Sequence, residues 1–330
     1  MANGTLAAEH RRAGSPVGSQ SPAVPIIGLS IKPATQLSSR LTITREQALT
    51  NATFSNRGEH LLVGGFDRAA HLLDARELRE LLVLRGHQSV IWTVALSPNG
   101  RLAVTGSEDR TLRFWNAQTG QELRRFLADG IYSCARFSAD GKSVFATNWD
   151  GKVRIIELPS FRLKPTIVCE QPALDIAIFH DGKRFLVGTP SGEILLYDVA
   201  TRQLVQRFSG HTATVHSVAL FADGKHFLSA SHDHTLRLWN VAASSTDAIY
   251  RGHTAAVHEV RLAPRESEFV SCSADGTVRL WDLNSATPLA SFSAGRDIRG
   301  ISISPDGSTV AAVSMDGTLQ LLMISDAQSK

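Results

Sequence analysis

The chain has 330 residues, 43% of them hydrophobic, and its 34 basic and 31 acidic residues leave a net charge of only +3. That length allows two ordinary domains or one large all-β barrel or propeller. Nearly cancelling charge argues against a polyanionic nucleic acid or an acidic membrane surface as partner. The three cysteines, Cys134, Cys169 and Cys272, form no C-x-x-C pair, so they point to neither a disulfide framework nor a structural zinc site. In strand-like surroundings they read as small buried hydrophobes.

Residues 1–32 are rich in Gly, Ser, Pro and Ala without any period, which predicts a disordered or flexible tail. Ser15-Pro16 and Ser21-Pro22 within it could serve as phosphorylation or partner motifs, but a flexible end explains this composition more simply. The opening MANGTLAAEHRRAGSP lacks the apolar centre of a secretory signal, and no apolar run approaches membrane-spanning length. The compartment expected by default is the cytoplasm, with the nucleus left open.

From residue 33 to residue 326 the chain repeats, leaving 327–330 as a short C-terminal tail. The best-formed copy is Gly210 to Asn240, where apolar and polar residues alternate through Val215, Val218 and Leu220. It turns at Asp223-Gly224, alternates through Phe227 and Leu228, turns at Asp233-His234 and ends on Leu236, Leu238 and Trp239. This predicts three short strands joined by two tight turns. The mark of the second turn recurs at Asp67, Asp109, Asp150, Ser191, Asp233, Asp275 and Asp316, at intervals of 42, 41, 41, 42, 42 and 41. The first turn keeps the same rhythm at Gly58, Gly100, Gly141, Gly182, Gly224, Glu266 and Gly307. Two registers in step with this period mark the blades of a propeller.

Six residues after each second-turn mark stand Leu73, Trp115, Ile156, Tyr197, Trp239, Trp281 and Leu322, followed by Asp74, Asn116, Glu157, Asp198, Asn240, Asp282 and Met323. With the pairs Gly86-His87, Gly210-His211 and Gly252-His253, these residues give a chain that resembles the WD-repeat β-propeller family from about Pro33 to Ser325. The resemblance is specific for fold and nearly silent on which member this is.

The fold class is therefore all-β: a seven-bladed propeller of four-stranded antiparallel blades. The seventh mark, Asp316, leaves room for one more strand, Thr318 to Ile324, while Ala34 to Ile43 is left over at the other end. The economical solution places the N-terminal segment as the outer strand of the last blade, which removes an exposed sheet edge. Deleting residues 1–46 is then expected to destabilise the ring, and deleting 1–30 is not.

Twelve histidines invite an enzymatic or metal reading. For three of them spacing argues otherwise. His87–Asp109, His211–Asp233 and His253–Asp275 are each 22 residues apart, with Thr105, Ser229 or Ser271 four before the Asp and Trp115, Trp239 or Trp281 six after it. In each set the Asp can accept from an imidazole N–H, the other ring nitrogen can meet the hydroxyl, and the hydroxyl can meet the indole N–H. The sets are similar to the structural hydrogen-bond network of the family. A hydrolase triad has the same composition, but no nucleophile-elbow motif supports it. Blades one, three, four and seven have Val63, Ala146, Val187 and Ala312 at the hydroxyl position. They are expected to hold by apolar packing and to be the more deformable ones. His60, His71, His180 and His226 read as single surface or rim residues.

In the family resembled, one end of the propeller, the top, carries the loops before the first strand and between the second and third. Two register positions point there, and both are expected to be half exposed. One holds Thr50, Trp92, Ser133, Leu174, His216, His258 and Arg299; the other holds Phe66, Glu108, Trp149, Pro190, His232, Ala274 and Met315. Aromatic rings, Met and Arg are the material of binding hot spots. The partner-binding site expected there is centred on Phe66, Trp92, Trp149 and Met315, with Glu108 and Arg299 as its charged rim and His216, His232 and His258 on adjacent blades. Those histidines could bind a metal or sense pH, although no carboxylate or cysteine accompanies them in a recognisable motif.

The function expected is a non-catalytic scaffold, a monomeric propeller within a larger assembly, that binds a peptide or protein on its top face without any cofactor. The alternative is a propeller enzyme or metal-dependent binder using the histidines of blades five and six. A nucleic-acid or phospho-ligand reader comes third, since Arg299 is the one cation among the fourteen top positions. Arg85, Arg124, Arg125 and Arg207 fall on outer strands, as a solvated rim would.

Overall fold

The computed structural model describes residues 35–326, so the tails expected at 1–32 and 327–330 lie outside the described residues. Every regular element among the described residues is a strand, gathered into seven antiparallel sheets. Blade five is representative: Val215–Leu220, His226–Ser231, Thr235–Asn240 and Ser245–Arg251 run from the axis outward. Blade three departs from this pattern. Its outer strand is two pieces, Arg162–Leu163 and Ile167–Val168, both paired with Lys152–Glu157.

The two turn registers have a backbone cause. Each first turn holds a left-handed residue, from Gly58 (φ 72°) to Gly307 (φ 75°), where glycine has no Cβ to clash. Glu266 takes the same conformation at φ 51°, and its carboxylate accepts the Ala222 backbone N–H of blade five at 2.8 Å. The residue after each second-turn mark is also left-handed, as at His234 (φ 69°), which accounts for that histidine without a chemical role.

The core lies between the blades. Seven apolar clusters each straddle two neighbouring blades, one for every junction around the ring. At the junction of blades five and six, for example, Leu228, Leu236 and Tyr250 meet Val260, Phe269 and Trp281. The ring closes through the N-terminal strand, Thr35–Thr44, which pairs antiparallel with Thr318–Asp326. Leu37 packs into the cluster between blades six and seven, and Leu41 and Ile43 into the one between seven and one.

Polar sets hold blades two, five and six. In blade two His87 Nδ1 meets Asp109 at 2.8 Å and His87 Nε2 meets the Thr105 hydroxyl at 2.6 Å, while the Trp115 indole N–H donates to that same oxygen at 2.9 Å. His211, Ser229, Asp233 and Trp239 make the same contacts in blade five, and His253, Ser271, Asp275 and Trp281 in blade six. A fifth member goes beyond the spacing argument: Thr111, Thr235 and Thr277 each donate to the Asp at 2.6 Å. The glycine before each of these histidines leaves room for an arginine and the tryptophan. A Cβ on Gly210 would stand 2.6 Å from Arg237 Nη1 and 3.0 Å from the Trp239 ring.

Blade one corrects an expectation. His71 is not at the rim but 3% exposed, with Asp67 at 2.6 Å, Glu80 at 2.7 Å and Arg45 at 3.1 Å. This blade is thus held by a polar set of its own, not by apolar packing alone. His180 is exposed, and His60 and His226 are half-buried.

Candidate functional site

The site grows from one irregularity repeated around the ring. In six of the seven innermost strands the register slips by one residue near the top, as between Val215 and Ser217 or Val257 and Glu259. The residues left unpaired are Thr50, Trp92, Ser133, His216, His258 and Arg299. A bulge re-aims its side chain; these six, with Leu174 in blade four, line one cavity of about 440 Å³ at the top of the central channel. That size suits a side chain or a short peptide segment.

Glu108 and Trp149 complete the mouth from the second-turn register, and Trp149 keeps 55% of its surface in solvent. Glu108 is exposed and accepts the Ser89 hydroxyl at 2.8 Å. The expected half exposure fails at Thr50, Leu174 and His258, which are buried. Thr50 is used up as a tie: its one hydroxyl proton is shared between the carbonyls of Ile91 in blade two, at 2.5 Å, and Gly64, at 3.0 Å.

Other top-face residues stand apart from this cavity. Phe66 packs edge-on against Trp92, with ring centroids 6.0 Å apart, and faces a separate depression beside Asp67 and Arg68. Met315 and Ala274 are half-buried and Pro190 is exposed, and none of the three lines the cavity. Of the four residues at the centre of the expected partner site, Trp92 and Trp149 line the cavity, and Phe66 and Met315 do not.

The cavity floor holds charge that register counting overlooked. One residue past the bulge in blades one, two, five and six, and at the matching place in blade four, the side chain reaches a backbone N–H of the next blade. Asn51 accepts from Val94 at 3.2 Å, Thr93 from Ala135 at 3.1 Å, Asp175 from Val218 at 3.0 Å, Ser217 from Val260 at 3.4 Å and Glu259 from Ile301 at 2.5 Å. Asp175 also accepts the Ser217 hydroxyl at 2.9 Å, the Cys134 thiol at 2.9 Å and the Arg136 guanidinium at 3.3 Å. Glu259 is bonded to Arg261. Burial works against the Asp175 carboxylate, but Arg136 and Arg261 outweigh it and hold its pKa at about 2. Burial pushes Glu259 up despite the same two arginines, and pushes the Cys134 thiol to about 12, with Asp175 adding to the effect. Neither this thiol nor buried Cys169 and Cys272 has the character of a nucleophile.

His216, His232 and His258 converge. His216 and His232 stack with centroids 5.3 Å apart, and His258 stands edge-on to both at 5.4 Å. Burial lowers the pKa of all three, His216 to about 4 and His258 to about 3; Arg299 adds to this at each, and His216 and His258 also feel a neighbouring ring. A carboxylate does accompany them: Asp297 accepts from His258 Nε2 at 2.9 Å and pairs with Arg299 at 2.8 Å. It stands two residues before the bulge of blade seven, outside both counted registers.

Comparison with known proteins fits this geometry. The profile of the family described as WD domain, G-beta repeat matches residues 78–116, 120–157, 202–240, 244–282 and 286–321, more than half of the chain. Periodic tryptophan protein 2 of Arabidopsis thaliana is 30% identical over 183 residues, which is 54% of this chain and 20% of that protein. Eukaryotic translation initiation factor 3 subunit I of Candida albicans is 26% identical over 183 residues, 50% of this chain and 52% of its own length, and the subunit of Emericella nidulans is 27% identical over 184. The matched region thus spans from a fifth to about half of these relatives. The first matched segment supplies the outer strand of blade one, Glu80–Arg85, and then the three inner strands of blade two, an offset that links each blade to the next. From that offset, the closed ring of seven blades and the matched repeats together, the chain belongs to the WD domain, G-beta repeat family.

Proposed function

We propose that the protein is a non-catalytic scaffold that binds a peptide or protein segment at the mouth of its central channel. The observation that carries this reading is the cavity to which all seven blades contribute, beside a tryptophan more than half exposed. A large exposed ring at a concave rim is a costly surface in water and a good anchor for a partner. The charged rim, Glu108 and Arg299, would orient that partner more than hold it. Two of the relatives named above are, by name, subunits of a translation initiation factor, which supports membership of a larger assembly. A cytoplasmic location belongs to the same reading. Among the described residues, no helix is long and apolar enough to cross a membrane.

The test is selection of peptides from a displayed library on the intact chain, followed by affinity measurement on Trp149→Ala and Trp92→Ala. Truncation of an anchor of this kind costs about 2 kcal/mol or more, roughly thirtyfold in Kd. Equal affinity for intact chain and both variants, with folding retained, would place the partner elsewhere.

A further inference from the structure

We infer that His216, His232 and His258 form a binding site for one divalent transition-metal ion of the zinc class, at the lip of the channel between blades five and six. Each imidazole offers a nitrogen, and the three donor atoms lie within 4.8 Å of one another. Around a tetrahedral ion with bonds of about 2.0–2.1 Å the donors would stand about 3.3 Å apart, so modest side-chain rotation closes the set.

Two nitrogens of the trio are already desolvated without a partner. His258 Nδ1 and His232 Nε2 are buried and make no hydrogen bond. A buried polar atom left unpaired is costly, and a metal held by these two nitrogens would satisfy both at once. Asp297 supplies the complementary contact. By accepting a hydrogen bond from His258 Nε2–H at 2.9 Å it fixes the tautomer whose lone pair sits on Nδ1. A carboxylate behind a ligating imidazole is the usual second layer of a zinc site. The scaffold is stiff, since His216 and His258 are bulge residues on adjacent innermost strands and the backbone of His232 is tied to Thr214 at 2.9 Å.

Arg299 faces the trio and opposes a cation. Its charge is drawn toward Asp297, at 3.0 Å from Nε and 2.8 Å from Nη2. His216 and His258 also line the cavity, so a fourth coordination position would open toward whatever occupies the channel mouth.

The experiment uses the full chain, stripped with chelator and titrated with Zn²⁺ by calorimetry and with Co²⁺ by visible absorption. The expected result is one ion per chain, with the intense visible bands of tetrahedral Co²⁺. His232→Gln, at a half-buried position that spares the core, should weaken Zn²⁺ binding at least about a hundredfold. Asp297→Asn should weaken it about tenfold. His226→Gln should leave it unchanged. The proposal is overturned if the intact chain takes up no stoichiometric Zn²⁺. It is equally overturned if folded His232→Gln binds as well as the intact chain, if Co²⁺ gives only a weak octahedral spectrum, or if binding is lost in His226→Gln instead. That last outcome would place the ion on the group of half-buried His226 with Asp223 and Asp247. Tight Cu²⁺ binding with weak Zn²⁺ binding would overturn the assignment to zinc.

Discussion

The Ser229 hydroxyl serves two buried partners, His211 at 2.7 Å and the Trp239 indole N–H at 2.7 Å. Ser229→Ala removes one oxygen and leaves both nitrogens unpaired where water cannot reach them. The expected loss is about 1–3 kcal/mol, read as a lower urea midpoint with an unchanged slope; a loss below a few tenths would mean that the neighbours relax freely. The same set makes stability depend on pH. Burial lowers the pKa of His211 and His253 in spite of their Asp partners, so both stay neutral in the folded chain when the unfolded chain begins to charge them near about 6.5. The unfolded state binds more protons below that point, so this stability is present above about pH 6.5 and drains away as pH falls through the lowered folded values. Asp109, Asp233 and Asp275, held well below the usual range by His and Thr hydrogen bonds against the pull of burial, add a second loss below about pH 4. Urea unfolding at steps between pH 7.5 and pH 3.5 checks both, with His211→Gln/His253→Gln expected to flatten the upper slope.

At the scale of the strand and the blade, the repeat was legible because two left-handed turn positions per blade hold their distance whatever the side chains do. The closing strand was legible by subtraction, since Asp316 leaves one strand too few in blade seven. Removing residues 1–46 strips Leu37, Leu41 and Ile43 from two clusters, each worth up to about 1.5–3 kcal/mol when fully buried. That truncation should melt well below a chain shortened to residue 31, which retains all of Thr35–Thr44. Equal melting temperatures would mean the strand is dispensable. What spacing hid was His71: one partner, Asp67, is a second-turn mark, but Glu80 lies on an outer strand and Arg45 in the connection before blade one, places that the two turn registers do not mark. The ranking of blades by softness changes accordingly. Blade four has Ser191 at the second-turn mark and Val187 at the hydroxyl position, so amides of Ile194–Asp198 should exchange faster than those of Thr235–Asn240, and the reverse order would count against a stiffening role for the polar sets.

Across the whole molecule, the top of the channel was half legible. Counting back from the first turn reaches the bulge residues because the bulge keeps its place in the six blades that carry one, but counting does not say which side chains turn inward, and Phe66 and Met315 do not line the cavity. The floor was missed although it lies one position further on, in Asn51, Thr93, Cys134, Asp175, Ser217 and Glu259. Read singly, these look like ordinary polar residues of a strand; only the ring shows that they tie each blade to the next. Asp175 carries most in this ring, because its two oxygens join Cys134 and Arg136 of blade three to Ser217 and Val218 of blade five. Asp175→Ala would strand the Val218 backbone N–H and leave the half-buried Arg136 guanidinium only Glu259, at 3.8 Å, an expected loss of about 3 kcal/mol. Asp175→Asn keeps one acceptor for Val218 and should lose less. Ser217→Ala gives up its contacts to Asp175 and, at 3.4 Å, to Val260, and should lose least. Urea unfolding of the three variants orders them, and if Asp175→Ala proved no worse than Ser217→Ala, the charge at the centre of the ring would be a passenger and apolar contact between blades would suffice to hold the channel open.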